Sequence, residues 1–183
     1  MEHTYVIISD IHGALSGAEM VQTAFERHHP DYILALGDLL YHGPRNDVPP
    51  TYAPKKVMPI LNALSARIIA VRGNCEADVD QKVLTFSCLA DYNIIPYGNR
   101  RIFMTHGHIY SPDQLPCMMK GDIFLSGHTH IYTAYEKEGI YFCNPGSVSI
   151  PKGGNPPTYG LLEDNVFSIH TADGNTIASI QAE

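Results

Sequence analysis

Residues 5–12 read Tyr5-Val6-Ile7-Ile8-Ser9-Asp10-Ile11-His12, an unbroken apolar run that ends in a carboxylate and an imidazole two positions apart. A strand that is apolar at every position, not at alternate ones, has both faces covered, as in a parallel sheet between layers. The same order recurs four times. Tyr32-Ile33-Leu34-Ala35-Leu36 leads to Gly37-Asp38, and Ile68-Ile69-Ala70-Val71 leads to Arg72-Gly73-Asn74. Ile102-Phe103-Met104-Thr105 leads to His106-Gly107-His108, and Ile123-Phe124-Leu125-Ser126 leads to Gly127-His128-Thr129-His130.

Helical patterns separate the first three runs. Leu15, Ala18, Val21, Ala24 and Phe25 form one apolar stripe, with Ser16 and Glu19 spaced as a capping box. Val57, Ile60, Leu61 and Leu64 suggest a second helix opened by Pro54, which Pro59 kinks or shortens. Strand–helix–strand–helix–strand order predicts parallel pairing with crossover helices. After residue 123 the pattern changes to short strands at 131–137, 140–143, 159–163, 166–170 and 176–181. Lys137-Glu138-Gly139, Glu163-Asp164-Asn165 and Asp173-Gly174-Asn175 carry hairpin-turn chemistry. The Pro/Gly-rich stretches 42–59 and 144–160 are too polar for core and suit the rim of a site. With no internal repeat or linker, residues 1–183 read as a single mixed α/β domain.

Composition narrows the function. The 183 residues carry 12 Lys+Arg against 19 Asp+Glu, a formal charge of −7. Such a balance gives no general grip on nucleic acid or anionic lipid. No apolar run reaches the roughly 20 residues that span a bilayer, and Met1-Glu2-His3-Thr4 lacks the basic start of a secretory signal. Cys75, Cys88, Cys117 and Cys143 are widely spaced, which suits a reducing, cytoplasmic setting better than a disulfide framework. The ten histidines are the anomaly.

Ligand sites in open α/β sheets lie at the carboxyl ends of strands, so groups spread over 120 residues can converge on one edge. In extended chain, residues i and i+2 point the same way, so Asp10/His12 and His128/His130 are expected to present paired ligands to one face. Glycines 37, 73, 107 and 127 permit sharp turns or close backbone approach. Carboxylate, imidazole and amide donors without thiolate suit Mn²⁺, Fe or Zn²⁺. His3, His28, His29 and His170 stand outside this pattern and read as ordinary surface or core residues.

Asp10-Ile11-His12, Gly37-Asp38, Gly73-Asn74, His106-Gly107-His108 and Gly127-His128-Thr129-His130 together resemble the five ordered blocks of the calcineurin-like metallophosphoesterases. The Asn144-Pro145-Gly146-Ser147 loop and the segment His42-Gly43-Pro44-Arg45-Asn46 resemble the small bacterial phosphodiesterases of the YfcE type. The resemblance implies a four-layer α/β/β/α sandwich of two mixed β-sheets and two divalent metal ions, with Mn first and Zn or Fe as alternatives. One metal would take Asp10, His12, Asp38 and His130. The other would take Asp38, Asn74, His106 and His128, with Asp38 bridging. The implied reaction is hydrolysis of a phosphodiester by a hydroxide held between the metals. Two dications against two carboxylates and a hydroxide leave about +1 at the centre, which attracts phosphate to an otherwise acidic chain.

One block departs from the family pattern: Cys75 follows Gly73-Asn74 where the family carries histidine. Cys75 and His108 are the candidate proton donors, and Arg45, Arg72 and Lys152 the candidate phosphate contacts. The expected partner is a small phosphodiester, without membrane or long nucleic acid, and a homo-oligomer is an open expectation. The alternatives are a non-catalytic protein-interaction scaffold on the same fold, or a phosphomonoesterase or nuclease.

Overall fold

The computed structural model describes residues 3–182; Met1, Glu2 and Glu183 lie outside it, including the first two residues of the N-terminal stretch read above. In order, the elements are β1 (Tyr5–Ile8), α1 (Leu15–His28), β2 (Tyr32–Ala35), α2 (Pro54–Ala63), a 3₁₀ turn (Ser65–Arg67) and β3 (Ile68–Ala70). There follow α3 (Asp78–Val83), β4 (Tyr92–Tyr97), β5 (Arg100–Thr105), β6 (Ile123–Leu125), β7 (Thr133–Lys137) and β8 (Ile140–Asn144). The chain closes with β9 (Thr158–Glu163), β10 (Val166–Thr171) and β11 (Thr176–Gln181).

The strands form two mixed sheets. One has the order β11-β10-β9-β1-β2-β3 and the other β4-β5-β6-β8-β7. β1, β2 and β3 pair in parallel, as do β5, β6 and β8, whereas β9 runs antiparallel to β1 and the remaining pairs are hairpins. The unbroken apolarity of β1 has the expected cause. Val6 and Ile8 join Ala18, Val21 and Ala24 of α1 and Val57 and Leu61 of α2 in one core. Tyr5 and Ile7 face the second sheet, meeting Ile102, Met104, Ile123 and Leu125 in another. Each fully buried side chain of this size contributes about 1.5–3 kcal/mol, so both layers hold the strand in register.

A third cluster lies on the far face of the second sheet. There Phe103, Phe124 and Phe142 pack with ring centroids 6.1 and 5.9 Å apart. Tyr110 and Met118 cover them. The outermost layer on that side is therefore irregular chain from 106–122, where the helical layer of the sandwich was expected.

The Ser16/Glu19 capping box does not form. α1 starts one residue before Ser16, with Ala14 at its N-cap. Its first donors are taken from outside: Leu15 N–H bonds the Thr51 carbonyl at 2.9 Å, and the Ser16 hydroxyl pairs with that of Thr51 at 2.8 Å. Pro54 opens α2 as expected, and Pro59 sits inside a helix of ten residues. Two elements escaped the sequence reading. α3 is a helix of six residues, and β4 is an edge strand whose Pro96 needs no ladder donor on its open side. Among the described residues no helix is long and apolar enough to cross a membrane.

Candidate metal centre

The loops leaving β1, β2, β3, β5 and β6 meet at one edge and bring all five sequence blocks together. They do so through an unusual backbone. Asp10 (φ 57°), His12 (φ 49°), Asp38 (φ 55°), His128 (φ 67°) and His130 (φ 59°) are all left-handed. The extended i, i+2 arrangement expected for Asp10/His12 and His128/His130 is thus not what pairs them. Left-handed backbone costs a non-glycine residue about 1–2 kcal/mol, least for Asp, Asn and His. Hydrogen bonds between loops hold it in place: Asp10 N–H to Gly37 O at 3.1 Å, His12 N–H to Asp38 O at 2.8 Å and Gly127 N–H to His106 O at 2.7 Å. Strain of this kind persists only where surrounding structure over-determines it.

The donor atoms converge. His130 Nε2 stands 3.2 Å and His12 Nε2 3.4 Å from Asp10 Oδ1, and the two ring nitrogens are 3.3 Å apart. Asp38 Oδ2 lies 3.6 Å from His12 Nε2 and 3.6 Å from His106 Nε2. His106 Nε2 is in turn 3.3 Å from Asn74 Oδ1 and 3.2 Å from His128 Nδ1. Asp10, His12, Asp38, His106 and His130 are buried, His128 is half-buried and Asn74 is exposed at the mouth.

The outward nitrogens identify which ones face the centre. His12 Nδ1 meets the Tyr41 carbonyl at 2.8 Å, His106 Nδ1 the Leu36 carbonyl at 2.7 Å and His130 Nδ1 the Ile150 carbonyl at 2.8 Å. A carbonyl only accepts, so each Nδ1 carries the proton and each Nε2 presents its lone pair inward. Asp10 Oδ2 accepts the Ser9 hydroxyl at 2.6 Å and His128 N–H at 3.1 Å, while its buried Oδ1 has no hydrogen-bond donor. Burial works against the charge of Asp10, and positive charge beside it, on protonated His12 and His130 or on a cation in their place, holds the carboxyl well below the usual range. Facing lone pairs beside an orphaned carboxylate oxygen repel one another unless a cation lies among them. The donor set fits a divalent metal, and Asp10/His12/His130 and Asp10/Asp38/His106 each bring their donor atoms within 4.8 Å.

Several supporting residues were not read as such from the sequence. Glu76 accepts Asp38 N–H at 2.8 Å, Leu39 N–H at 2.6 Å and Gly73 N–H at 2.5 Å, tying the β2 and β3 exits together. Burial, then Asp38, pushes its carboxyl up to about 7, while the three N–H groups favour the ionised form. Its position next to the Gly73-Asn74-Cys75 block was the available signal. Asn144 donates to Gly127 O at 2.9 Å, and the Ser147 and Ser149 hydroxyls each donate to Asp10 O at 2.8 Å. Gly73 and Gly127 allow close approach: a Cβ at the first would strike the Asp38 carboxylate, and one at the second the Ser9 hydroxyl.

The centre opens into a cleft of about 190 Å³ lined by Asp38, Asn74, Cys75, His128 and His130, with Arg45 and Lys152 in its wall. Arg72 does not line it, and its guanidinium bonds Asp91 at 2.5 Å. Burial and Asp38 push the Cys75 thiol up, keeping it protonated and a weak donor. His108 stands at the rim, its ring centroid 5.4 Å from that of His106. Partial burial and His106 lower its pKa. His28 and His170 lie elsewhere, bonded to the Tyr159 hydroxyl and the Ser168 hydroxyl at 2.8 Å each. His3 pairs with Asp31 at 3.3 Å, and His29 ends α1.

The family model of the calcineurin-like phosphoesterase superfamily domain matches residues 4–165. The chain belongs to this superfamily. This phosphoesterase is 44% identical over 169 residues, 92% of each chain, to phosphodiesterase YfcE of Escherichia coli strain K12. The solved structure of YfcE, a phosphoesterase from E. coli, matches with a TM-score of 0.96 at 42% identity, over 98% of this chain and 100% of that one. The phosphoesterase is also 27% identical to the probable metallophosphoesterase YsnB of Bacillus subtilis, over 96% of this chain and 95% of YsnB. Wild-type Vps29 from Entamoeba histolytica, solved with Zn²⁺, matches at 25% identity with a TM-score of 0.60, over 98% and 99% of the two chains.

Proposed function

We propose that the chain is a single-domain phosphodiesterase with a binuclear metal centre. One ion would be held by Asp10, His12, Asp38 and His130, the other by Asp38, Asn74, His106 and His128. The observation that carries this reading is Asp38 Oδ2, which stands 3.6 Å from a histidine of each set. When bound, a pair of divalent ions supplies an acidified water for attack on phosphorus and charge to offset the developing negative oxygens. The chain's own residues do the rest. Three carbonyls orient His12, His106 and His130, and Glu76 sets the backbone that carries Asp38. Arg45 and Lys152 sit where they can hold non-bridging phosphate oxygens.

A diester is favoured over a monoester because the relative YfcE, 44% identical over 92% of this chain, is itself called a phosphodiesterase. With Cys75 and His108 as its available donors, the site suits good leaving groups such as aryl oxides. Hard oxygen and nitrogen donors favour Mn²⁺, with Zn²⁺ and Fe²⁺ as alternatives. The four free thiols support a cytoplasmic setting.

The test is to strip the protein with a chelator and add back Mn²⁺, Zn²⁺, Fe²⁺ or Mg²⁺ singly. An aryl diester is then assayed beside the matching monoester. Revival by Mn²⁺ with diester preference is expected. A pure preparation that takes up no divalent ion and cleaves neither ester would overturn the proposal. It would favour the second reading, an interaction scaffold, for which the likeness to Vps29 is the supporting observation.

A further inference from the structure

Beside the metal-facing cleft lies a second one of opposite character. It occupies about 390 Å³ and is lined by Leu40, Tyr41, Tyr52, Met58, Val79 and Val83. Tyr41, Val79 and Val83 are exposed, at 43%, 63% and 38%. The charged groups in its wall are Lys55 and Asp80, and the Asp80 carboxylate already accepts the Ala77 N–H at 2.7 Å. Cys75 belongs to the walls of both clefts, and its Sγ lies within 4.8 Å of donor atoms of His12 and Asp38. One small side chain therefore separates an apolar hollow from the place where phosphorus must sit.

We propose that this apolar cleft is a substrate subsite that receives an aromatic ester arm of the diester, the arm that stays on phosphorus. The inference rests on the diesterase reading above and adds its substrate class. A sugar or other hydroxylated arm would lose its hydrogen bonds to water and find few partners in this wall. An arene matches it. The rings of Tyr41, His42 and Tyr52 form an edge-to-face series with centroids 4.7 and 5.2 Å apart, a setting that accepts a further ring. Apolar hollows with few polar groups, next to the reacting centre, are the usual form of small-molecule subsites. The assignment to the staying arm follows from the dividing wall. It offers a departing oxygen only the weak S–H donor of Cys75, and His108 is not part of this cleft.

Two p-nitrophenyl diesters with the same leaving group test the proposal, one with methyl and one with phenyl on the staying oxygen. The readout is the phenyl-to-methyl ratio of kcat/KM for the metal-loaded native chain and for Val79→Asp and Val83→Ser. Val79 lies in the first turn of α3, where an added carboxylate is tolerated. Val83 ends the same helix and does not line the metal-facing cleft. The ratio is expected to fall about tenfold in each variant, the usual worth of an apolar group in a pocket. An unchanged ratio with methyl activity intact overturns the subsite and leaves the diesterase standing. Equal losses on both diesters put the leaving arm in the cleft and overturn the assignment made here. Hydrolysis of neither diester by the native chain overturns the diesterase reading as well. Sedimentation of the native chain and Val79→Asp gives one more outcome: a dimer that the substitution splits would assign the cleft to a second copy and overturn the proposal.

Discussion

Besides His29 at the end of α1, two regions among the described residues place residues other than glycine in left-handed backbone, for different reasons. In the hairpins, Glu138 (φ 56°) precedes Gly139 (φ 85°), and Asp164 (φ 49°) precedes Asn165 (φ 62°). Each pair is a two-residue loop closed by paired strands, Lys137 to Ile140 and Glu163 to Val166. Positive φ there is what the twist of a tight hairpin demands, and it is relieved by solvent and local choice of residue. At the metal edge, Asp10, His12, Asp38, His128 and His130 adopt the same conformation in or near the core. Other loops hold them there, through Gly37, His106, Ser147 and Ser149 for Asp10 and its neighbours. One conformation thus makes a turn in the first region and aims donor atoms in the second. Local chemistry selects it in the hairpins; distant partners impose it at the site.

Substitutions can break or sharpen that contrast. The largest effect is expected for Asp38→Ala, which removes the group shared by both donor sets. Activity should fall to background and both metals should bind poorly, as read by elemental analysis beside the aryl-diester assay; normal stoichiometry with retained activity would contradict the bridging role. His128→Ala should empty mainly one position, leaving near half the native metal content if the two are independent. Glu76→Gln touches no donor atom, but turns an N–H₂ toward one of three backbone donors. Metal affinity should drop about 10- to 100-fold, as for other groups that orient ligands, with about 1–3 kcal/mol lost from the metal-free fold. Isothermal titration and denaturant unfolding separate the two effects. The smallest change is expected for Glu138→Asn, which gives the hairpin the preferred Asn-Gly pair. It should raise stability by about 0.5 kcal/mol, or roughly 1–2 °C in Tm for a domain this size, leaving metal content untouched.

Much of the fold was legible because burial on two faces writes itself as continuous apolar runs. The runs beginning at Tyr5, Tyr32, Ile68, Ile102 and Ile123 are all strands, and the turn residues after 131 mark real hairpins. α3 and β4 were not legible: six residues make fewer than two helical turns, too few for an apolar stripe to repeat, and Pro96 with alternating exposure masks an edge strand. The misread capping box has a similar cause. Thr51, distant in sequence, supplies partners that Ser16 and Glu19 were expected to supply locally. Arg72 carried the right charge next to the right motif, yet its direction depends on Asp91, on the neighbouring loop.

By itself the sequence determined where the metal-capable side chains stand and that strands end just before them, since composition and periodicity are local properties of the chain. Tertiary structure alone decided how those side chains point. The left-handed φ values at Asp10, His12, Asp38, His128 and His130, the anchoring of Asp38 by Glu76 and the apolar cleft behind Cys75 each need partners from far along the chain. Backbone strain and cavity shape arise from contacts between segments, and a linear pattern does not encode contacts that only packing creates.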